Sequence, residues 1–191
     1  MNRRKAISSI FLIAGASAVT ITGIETGTLY KHPDLTWLQT QLPLIAELAE
    51  TIIPETDTPG AKTAGVAPFI VTMVNDCTPK KTQNKFLAGL KDVEKRSMSE
   101  FQRSFVNCSP EERYSILEYF EKRDRPLKGI AGKISFRMFG YSFFSVLKKY
   151  TVMGYCNSMI GATKGLAYQP VPGQYNGCIP LQNGQKVWAS E

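Results

Sequence analysis

Leu38, Leu42, Ile45, Leu48, Ala49 and Ile52 recur at steps of three and four residues. That spacing places them on one face of a helix, with Thr36 as its cap and Pro54 as its stop. Pro43 falls inside the pattern and should either kink the helix or move its start past the proline. A second helix opens at Ala67-Pro68, with proline at the first helical position, where its missing N–H costs nothing, and its apolar face is Phe69, Ile70, Met73 and Val74. After a break at Thr78-Pro79, a long helix is predicted from about Lys80 to Phe105. Phe86, Leu87, Leu90, Val93, Met98 and Phe101 should turn to the core. Its other positions carry Lys80, Lys81, Lys85, Lys91, Lys95 and Arg96, interrupted by Asp92, Glu94 and Glu100, which reads as a solvated face.

Ser109-Pro110-Glu111-Glu112 is a capping box: serine caps, proline takes the first position, and Glu112 reaches back. The helix it opens runs through Tyr114, Ile116, Leu117, Tyr119 and Phe120 to the charged stop Lys122-Arg123-Asp124-Arg125-Pro126. From Ile134 to Val152 the chain is apolar on every side, with Phe136, Phe139, Tyr141, Phe143, Phe144, Val146, Leu147 and Tyr150. A helix of that kind is the buried centre of a bundle, and ordinary core packing explains its aromatics better than a cofactor box. No alternation of period two persists anywhere, so the fold class is all-α.

After Gly154 the character changes. Gly161, Gly165, Gly173, Gly177 and Gly184, with Pro170, Pro172 and Pro180, forbid long elements, while Tyr168, Tyr175 and Trp188 offer large anchors. Residues 154–191 therefore read as an extended Gly/Pro-rich tail that wraps a surface, its own or another subunit's. The connector Pro54-Glu55-Thr56-Asp57-Thr58-Pro59-Gly60-Ala61 is stiffened by two prolines. It reads either as a plain linker with solvated carboxylates or as a preformed docking loop.

The front of the chain has a different logic. Met1-Asn2-Arg3-Arg4-Lys5 is basic, Ala6 to Ile24 is mostly apolar, and Ala16-Ser17-Ala18 supplies small residues, the layout of an export leader. The Arg3-Arg4 pair points to the twin-arginine route, which carries folded cargo, although Ala6 and Ser8 depart from its usual residues. An ordinary secretory leader or a retained anchor would fit the same run. The expected organisation is leader 1–24, linker 25–34 with Gly27, Thr28 and Pro33, helical bundle 35–153 and tail 154–191.

Without the leader roughly 160 residues remain, enough for one domain with a substantial core. At 43% hydrophobic and 20% charged residues the chain should be globular. Its net charge of +7 includes Arg3, Arg4 and Lys5, and the remainder is too scattered to suggest nucleic acid. Cys77, Cys108, Cys156 and Cys178 lie far apart, without a Cys-x-x-Cys pair, and His32 is the only histidine, so neither a metal site nor haem attachment is expected. In an exported protein one or two disulfides among these four are allowed, in any of three full pairings, as is a bridge to another subunit.

A catalytic constellation is not legible either. There is no phosphate-binding glycine motif and no nucleophile elbow. Glu47, Glu50, Glu55 and Asp57 form an acidic cluster that reads as solvated, with no nucleophile or metal ligand beside it.

Two stretches nevertheless resemble a known family. Glu47-Leu48-Ala49-Glu50-Thr51-Ile52-Ile53-Pro54-Glu55-Thr56-Asp57-Thr58-Pro59-Gly60-Ala61 is one; the other runs from Gly161-Ala162-Thr163-Lys164 through Tyr175-Asn176-Gly177-Cys178-Ile179-Pro180-Leu181. Both are similar to the gluconate 2-dehydrogenase subunit 3 family, and the likeness extends over nearly the whole chain. The resemblance implies a small non-catalytic subunit with no cofactor of its own. Its large partner would be an FAD-containing flavoprotein of the glucose-methanol-choline type, often joined by a cytochrome c subunit, that oxidises gluconate, fructose, glucose or the 3-hydroxyl of glycosides.

It also implies that this chain acts as a dedicated chaperone. Its leader, through Arg3 and Arg4 and the export machinery, would carry the partner to the periplasm or to the periplasmic face of the inner membrane. The residues expected to meet that partner are Pro54, Glu55, Thr56, Asp57, Pro59 and Gly60 in the connector. Tyr155, Tyr168, Tyr175, Cys178 and Trp188 would join them from the tail, aromatic types that dominate interface energetics. A stand-alone secreted helical protein, or an enzyme in its own right, are the competing expectations.

Overall fold

Asp34 rather than Thr36 starts the first helix: its carboxylate accepts from the Trp37 N–H at 2.9 Å, and α1 spans Leu35–Thr40. The computed structural model describes residues 31–125, 140–171, 173–174 and 177–189. At Gln41 the chain breaks, and α2, Leu42–Ile52, begins with Pro43 in its first turn. Of the two outcomes open to Pro43, the new start is the one realised, because a first-turn N–H has no intrahelical acceptor to lose. Leu38, Ile45, Leu48 and Ala49 are buried as their spacing requires, whereas Leu42 is exposed and Leu44, outside the expected face, is buried in its place.

The next helix, α3, spans Val66–Cys77 and starts two residues earlier than expected, after Gly65 in the left-handed region at φ 69°, which makes Pro68 its third residue rather than its first. It buries Val66, Ala67, Ile70, Val71 and Val74, while Phe69 and Met73 are only half-buried. Phe69 borders Gly154 instead, where an added Cβ would come within 2.7 Å of its ring.

Helix α4, Lys80–Phe101, is shorter than its pattern suggested and turns at Gln102, whose φ of 55° is left-handed. Phe86, Leu87, Leu90 and Val93 are buried, but Met98 is 53% exposed and Phe101 half-buried. Phe105, beyond the helix, is fully buried in a 3-10 turn at Phe105–Asn107. Lys91 and Lys95 face solvent, as the basic run implied. Lys91 also covers the Trp37 ring at 4.9 Å, and Arg96 lies 3.4 Å from the centre of the Tyr119 ring and pairs with Glu100.

Helix α5, Pro110–Arg123, opens with the complete capping box. Glu112 N–H donates to the Ser109 hydroxyl at 3.3 Å, and Ser109 N–H to the Glu112 carboxylate at 2.8 Å. The Ser109 hydroxyl in turn donates to Glu111 at 2.9 Å. A backbone hydrogen bond first, and this hydroxyl second, hold the Glu111 carboxyl below its ordinary range. Ser109→Ala is expected to lower unfolding free energy by about 1 kcal/mol, read as a shift in the urea midpoint with unchanged slope.

Helix α6, Phe143–Asn157, is the centre of the bundle and packs against α2, α3, α4 and α5. Its predicted N-terminal part is not borne out between Gly140 and Ser142. Gly140 has φ 71° and Tyr141 is half exposed; residues 134–139 of that prediction lie outside the described residues. Phe143, Val146, Leu147, Tyr150 and Tyr155 are buried. Phe143 stacks near Phe86 and Phe120 at 5.4 and 5.6 Å between centroids, and Gly89 of α4 makes room for it: a Cβ there would sit 2.2 Å from the ring. Among the described residues there is no strand, only an isolated bridge between Ala167 and Trp188. No described helix is long and apolar enough to cross a membrane.

Candidate functional site

The connector between α2 and α3 is held from below by two glutamates of α2. Glu47 is at the middle of that helix and Glu50 in its last turn, at the negative end, where a carboxylate is unfavourable unless something compensates it. Glu50 finds its compensation in the loop backbone: one oxygen accepts from the Glu55 N–H and the other from the Lys62 N–H, each at 2.8 Å. A Cβ on Gly60 would lie 2.3 Å from that carboxylate, so a larger residue there would displace Glu50 from the two amides it holds.

Glu47, with a side chain only 12% exposed, pairs with Lys62 and with Arg113 of α5. Arg113 also donates through Nε to the Phe105 carbonyl at 3.2 Å and through an Nη to the Val106 carbonyl at 2.6 Å. The acidic cluster is thus solvated only in part: Glu55 and Asp57 are exposed as expected, whereas Glu47 and Glu50 are engaged. Glu47 and Glu50 are structural, and Glu55 accepts from the Thr63 hydroxyl at 2.7 Å.

The backbone completes the loop. Ala61 N–H donates to the Ile53 carbonyl at 2.9 Å, Val66 N–H to Ala61 at 3.1 Å, and Thr56 N–H to Thr58 at 3.0 Å. Pro54, Glu55, Thr56 and Asp57 project outward from this frame, while Thr58 and Pro59 are half-buried and Gly60 is buried. Beside them an open groove of about 400 Å³ is lined by Glu50, Thr51, Pro54, Glu55, Pro110, Arg113 and Tyr114. Tyr114, on the rim, is 65% exposed.

Tyr155 sits differently from its expected place on an outer face. It is 7% exposed, and its hydroxyl donates to the Pro59 carbonyl at 2.7 Å, so it supports the connector from inside. The chain then forms a π-helical turn at Gly161–Gly165. Ala167 N–H donates to the Val187 carbonyl and Ala189 N–H to the Ala167 carbonyl, both at 2.8 Å, and the Lys186 ammonium to the Lys164 carbonyl at 2.7 Å. Residues near the two ends of the tail therefore meet. Tyr168, Cys178 and Trp188 are exposed, and so are Val171, Ile179 and Leu181; Tyr175 lies outside the described residues.

No bridge joins the four cysteines within the chain. Cys108 is buried with its thiol 3.1 Å from the Ser97 hydroxyl, under the 3-10 turn, whereas Cys77 and Cys178 are exposed and Cys156 is half-buried. The intrachain disulfides that the sequence allows are not formed: the thiols sit on separate elements and in separate environments. His32 is exposed. Among the described residues no group of three or more His, Cys, Asp or Glu side chains could hold a metal ion. Arg3 and Arg4 lie outside the described residues.

Sequence reasoning missed Lys62 and Arg113, and it misread Glu47 and Glu50. The available signal was Glu50 in the last turn of a helix that has no basic residue there to balance it. A family model described as gluconate 2-dehydrogenase subunit 3 matches residues 39–173, a span from α1 through the connector and bundle into the tail. No curated protein and no solved structure matches the chain.

Proposed function

The chain belongs to the gluconate 2-dehydrogenase subunit 3 family, an accessory subunit of a dehydrogenase complex, and on that premise we propose how it serves the complex. It is the non-catalytic small subunit that binds, stabilises and helps export the catalytic subunit of a periplasmic sugar or glycoside dehydrogenase. That partner is an FAD-containing flavoprotein of the glucose-methanol-choline type, with a cytochrome c subunit as a further member of the complex. This chain brings no cofactor; it brings a surface and an address.

The observation that carries the reading is the family match over 39–173, which takes in the whole connector. The form of the connector supports it. Pro54, Glu55, Thr56 and Asp57 are exposed on a loop that the Glu50 carboxylate and the Tyr155 hydroxyl already hold in shape. A partner meeting a preformed loop avoids the ordering cost that weakens flexible surfaces. Pro59 and Gly60 shape it from behind. Exposed Tyr168, Cys178 and Trp188, with Tyr175 between them in sequence, are the proposed anchors on the tail. The complex works in the periplasm or at the periplasmic face of the inner membrane, reached through the Arg3-Arg4 leader.

Expressing the flavoprotein with and without this chain tests the reading. Periplasmic dehydrogenase activity should fall at least tenfold without it, and the two proteins should co-purify in a fixed ratio. Equal exported activity in both cases would sink the proposal.

A further inference from the structure

We propose that Tyr155 is a latch that makes the connector and the root of the tail one cooperative unit, so that neither segment loosens alone. Tyr155 is in the last turn of α6, and its hydroxyl crosses to the Pro59 carbonyl at 2.7 Å, joining residues 96 apart. The phenol is also enclosed from the tail side. A Cβ on Gly165 would lie 2.3 Å from the hydroxyl and 2.9 Å from the ring; a Cβ on Gly161 would lie 2.0 Å from the Tyr155 carbonyl oxygen. Both ends of the π-helical turn are thus closed over this residue, in space that only glycine leaves open.

Further contacts fix each side. The Ser158 hydroxyl donates to the Tyr155 carbonyl at 2.8 Å and accepts from the Gly161 N–H at 2.9 Å, while Leu166 N–H donates to the Gly161 carbonyl at 3.0 Å. On the connector side, Glu50 holds the amides of Glu55 and Lys62 around the same Pro59-Gly60 corner. If the corner moves, a buried phenol hydroxyl loses its acceptor; if the π turn opens, the phenol loses the wall that aims it. Leaving a buried donor without a partner is the more expensive half of breaking a hydrogen bond, so the two openings favour each other. Coupling of this kind is reciprocal. A molecule that rigidifies the exposed connector also rigidifies the tail root, and the converse holds. The inference concerns the chain alone and does not depend on which partner the connector meets.

Amide hydrogen exchange on the full-length protein tests it, using two variants that enter from opposite sides. Tyr155→Phe removes only the hydroxyl and should speed exchange about fivefold in peptides covering both 53–66 and 161–171, with 80–101 unchanged. Glu50→Gln turns one of the two accepting oxygens into a donor facing a backbone N–H. It touches the connector only, yet it should also speed exchange in 161–171. Faster exchange confined to 53–66 in Glu50→Gln, or no change at 161–171 in Tyr155→Phe, would overturn the latch. A uniform rise across 80–101 as well would mean global destabilisation and would equally overturn it.

Discussion

Arg113→Met is expected to lower the unfolding free energy by about 3 kcal/mol, the low end of the range for breaking a largely buried ion pair by removing one partner. The low end applies because the Arg113 and Glu47 side chains retain 18% and 12% exposure. The methionine keeps the aliphatic length, so little packing is lost. What is lost is a single guanidinium that serves Glu47, the Phe105 carbonyl and the Val106 carbonyl together. Glu47 would be left with Lys62 alone, and the 3-10 turn carrying the buried Phe105 would lose its hold on α5. Chemical denaturation measures the loss. Adding Glu47→Gln to Arg113→Met should restore part of it, because the stranded charge is gone and the two changes share one interaction. A loss below about 1 kcal/mol for Arg113→Met would show that solvent compensates the network, as it does for surface pairs.

Arg3→Lys combined with Arg4→Lys is expected to strand the partner's dehydrogenase activity in the cytoplasm while leaving the complex assembled. The proposal treats this chain as the carrier of the address for both proteins. Lysine keeps the positive charge of the leader, so an ordinary secretory leader, which needs charge rather than arginine, should tolerate the change. The twin-arginine route should not. Fractionation followed by activity staining reads the outcome. Unchanged periplasmic activity would mean an ordinary leader or a retained anchor. Failure to co-purify in the variant would instead place the arginines in folding or assembly.

The elements legible in advance were those whose cause is local. The capping box at Ser109 needs only four consecutive residues, and it formed as written. The three- and four-residue spacing of apolar residues in α2 and α4 correctly gave Ile45, Leu48, Phe86, Leu90 and Val93 neighbours in the core, while it missed the buried Leu44, placed the exposed Leu42 inside, and failed at the end of α4. There, Met98 is exposed while Phe105 is buried, and periodicity cannot see the 3-10 turn that carries Phe105 inward after the helix has ended. The site was half legible. Two prolines and a glycine announced a stiff connector, but its stiffness resides in Glu50, Arg113 and Tyr155, and the last two reach it or its clasp from 66 and 96 residues away. Spacing along a chain carries no information about such pairings. Tyr155 illustrates the difference: read as an aromatic anchor for another protein, it serves its own chain from the interior.

The central position of α6 has a consequence in time. A ribosome releases Phe143–Asn157 only after α1 to α5 have emerged, yet α6 is the surface on which α2, α3, α4 and α5 bury their apolar sides. Until it arrives, Phe86 and Phe120 lack Phe143, and Val66 and Phe69 lack the Gly154 crossing. The earlier helices therefore wait, half-sheltered, and the bundle closes near the end of synthesis rather than growing steadily from its front. The N-terminal segment is the first part made and the last to acquire a folded body behind it.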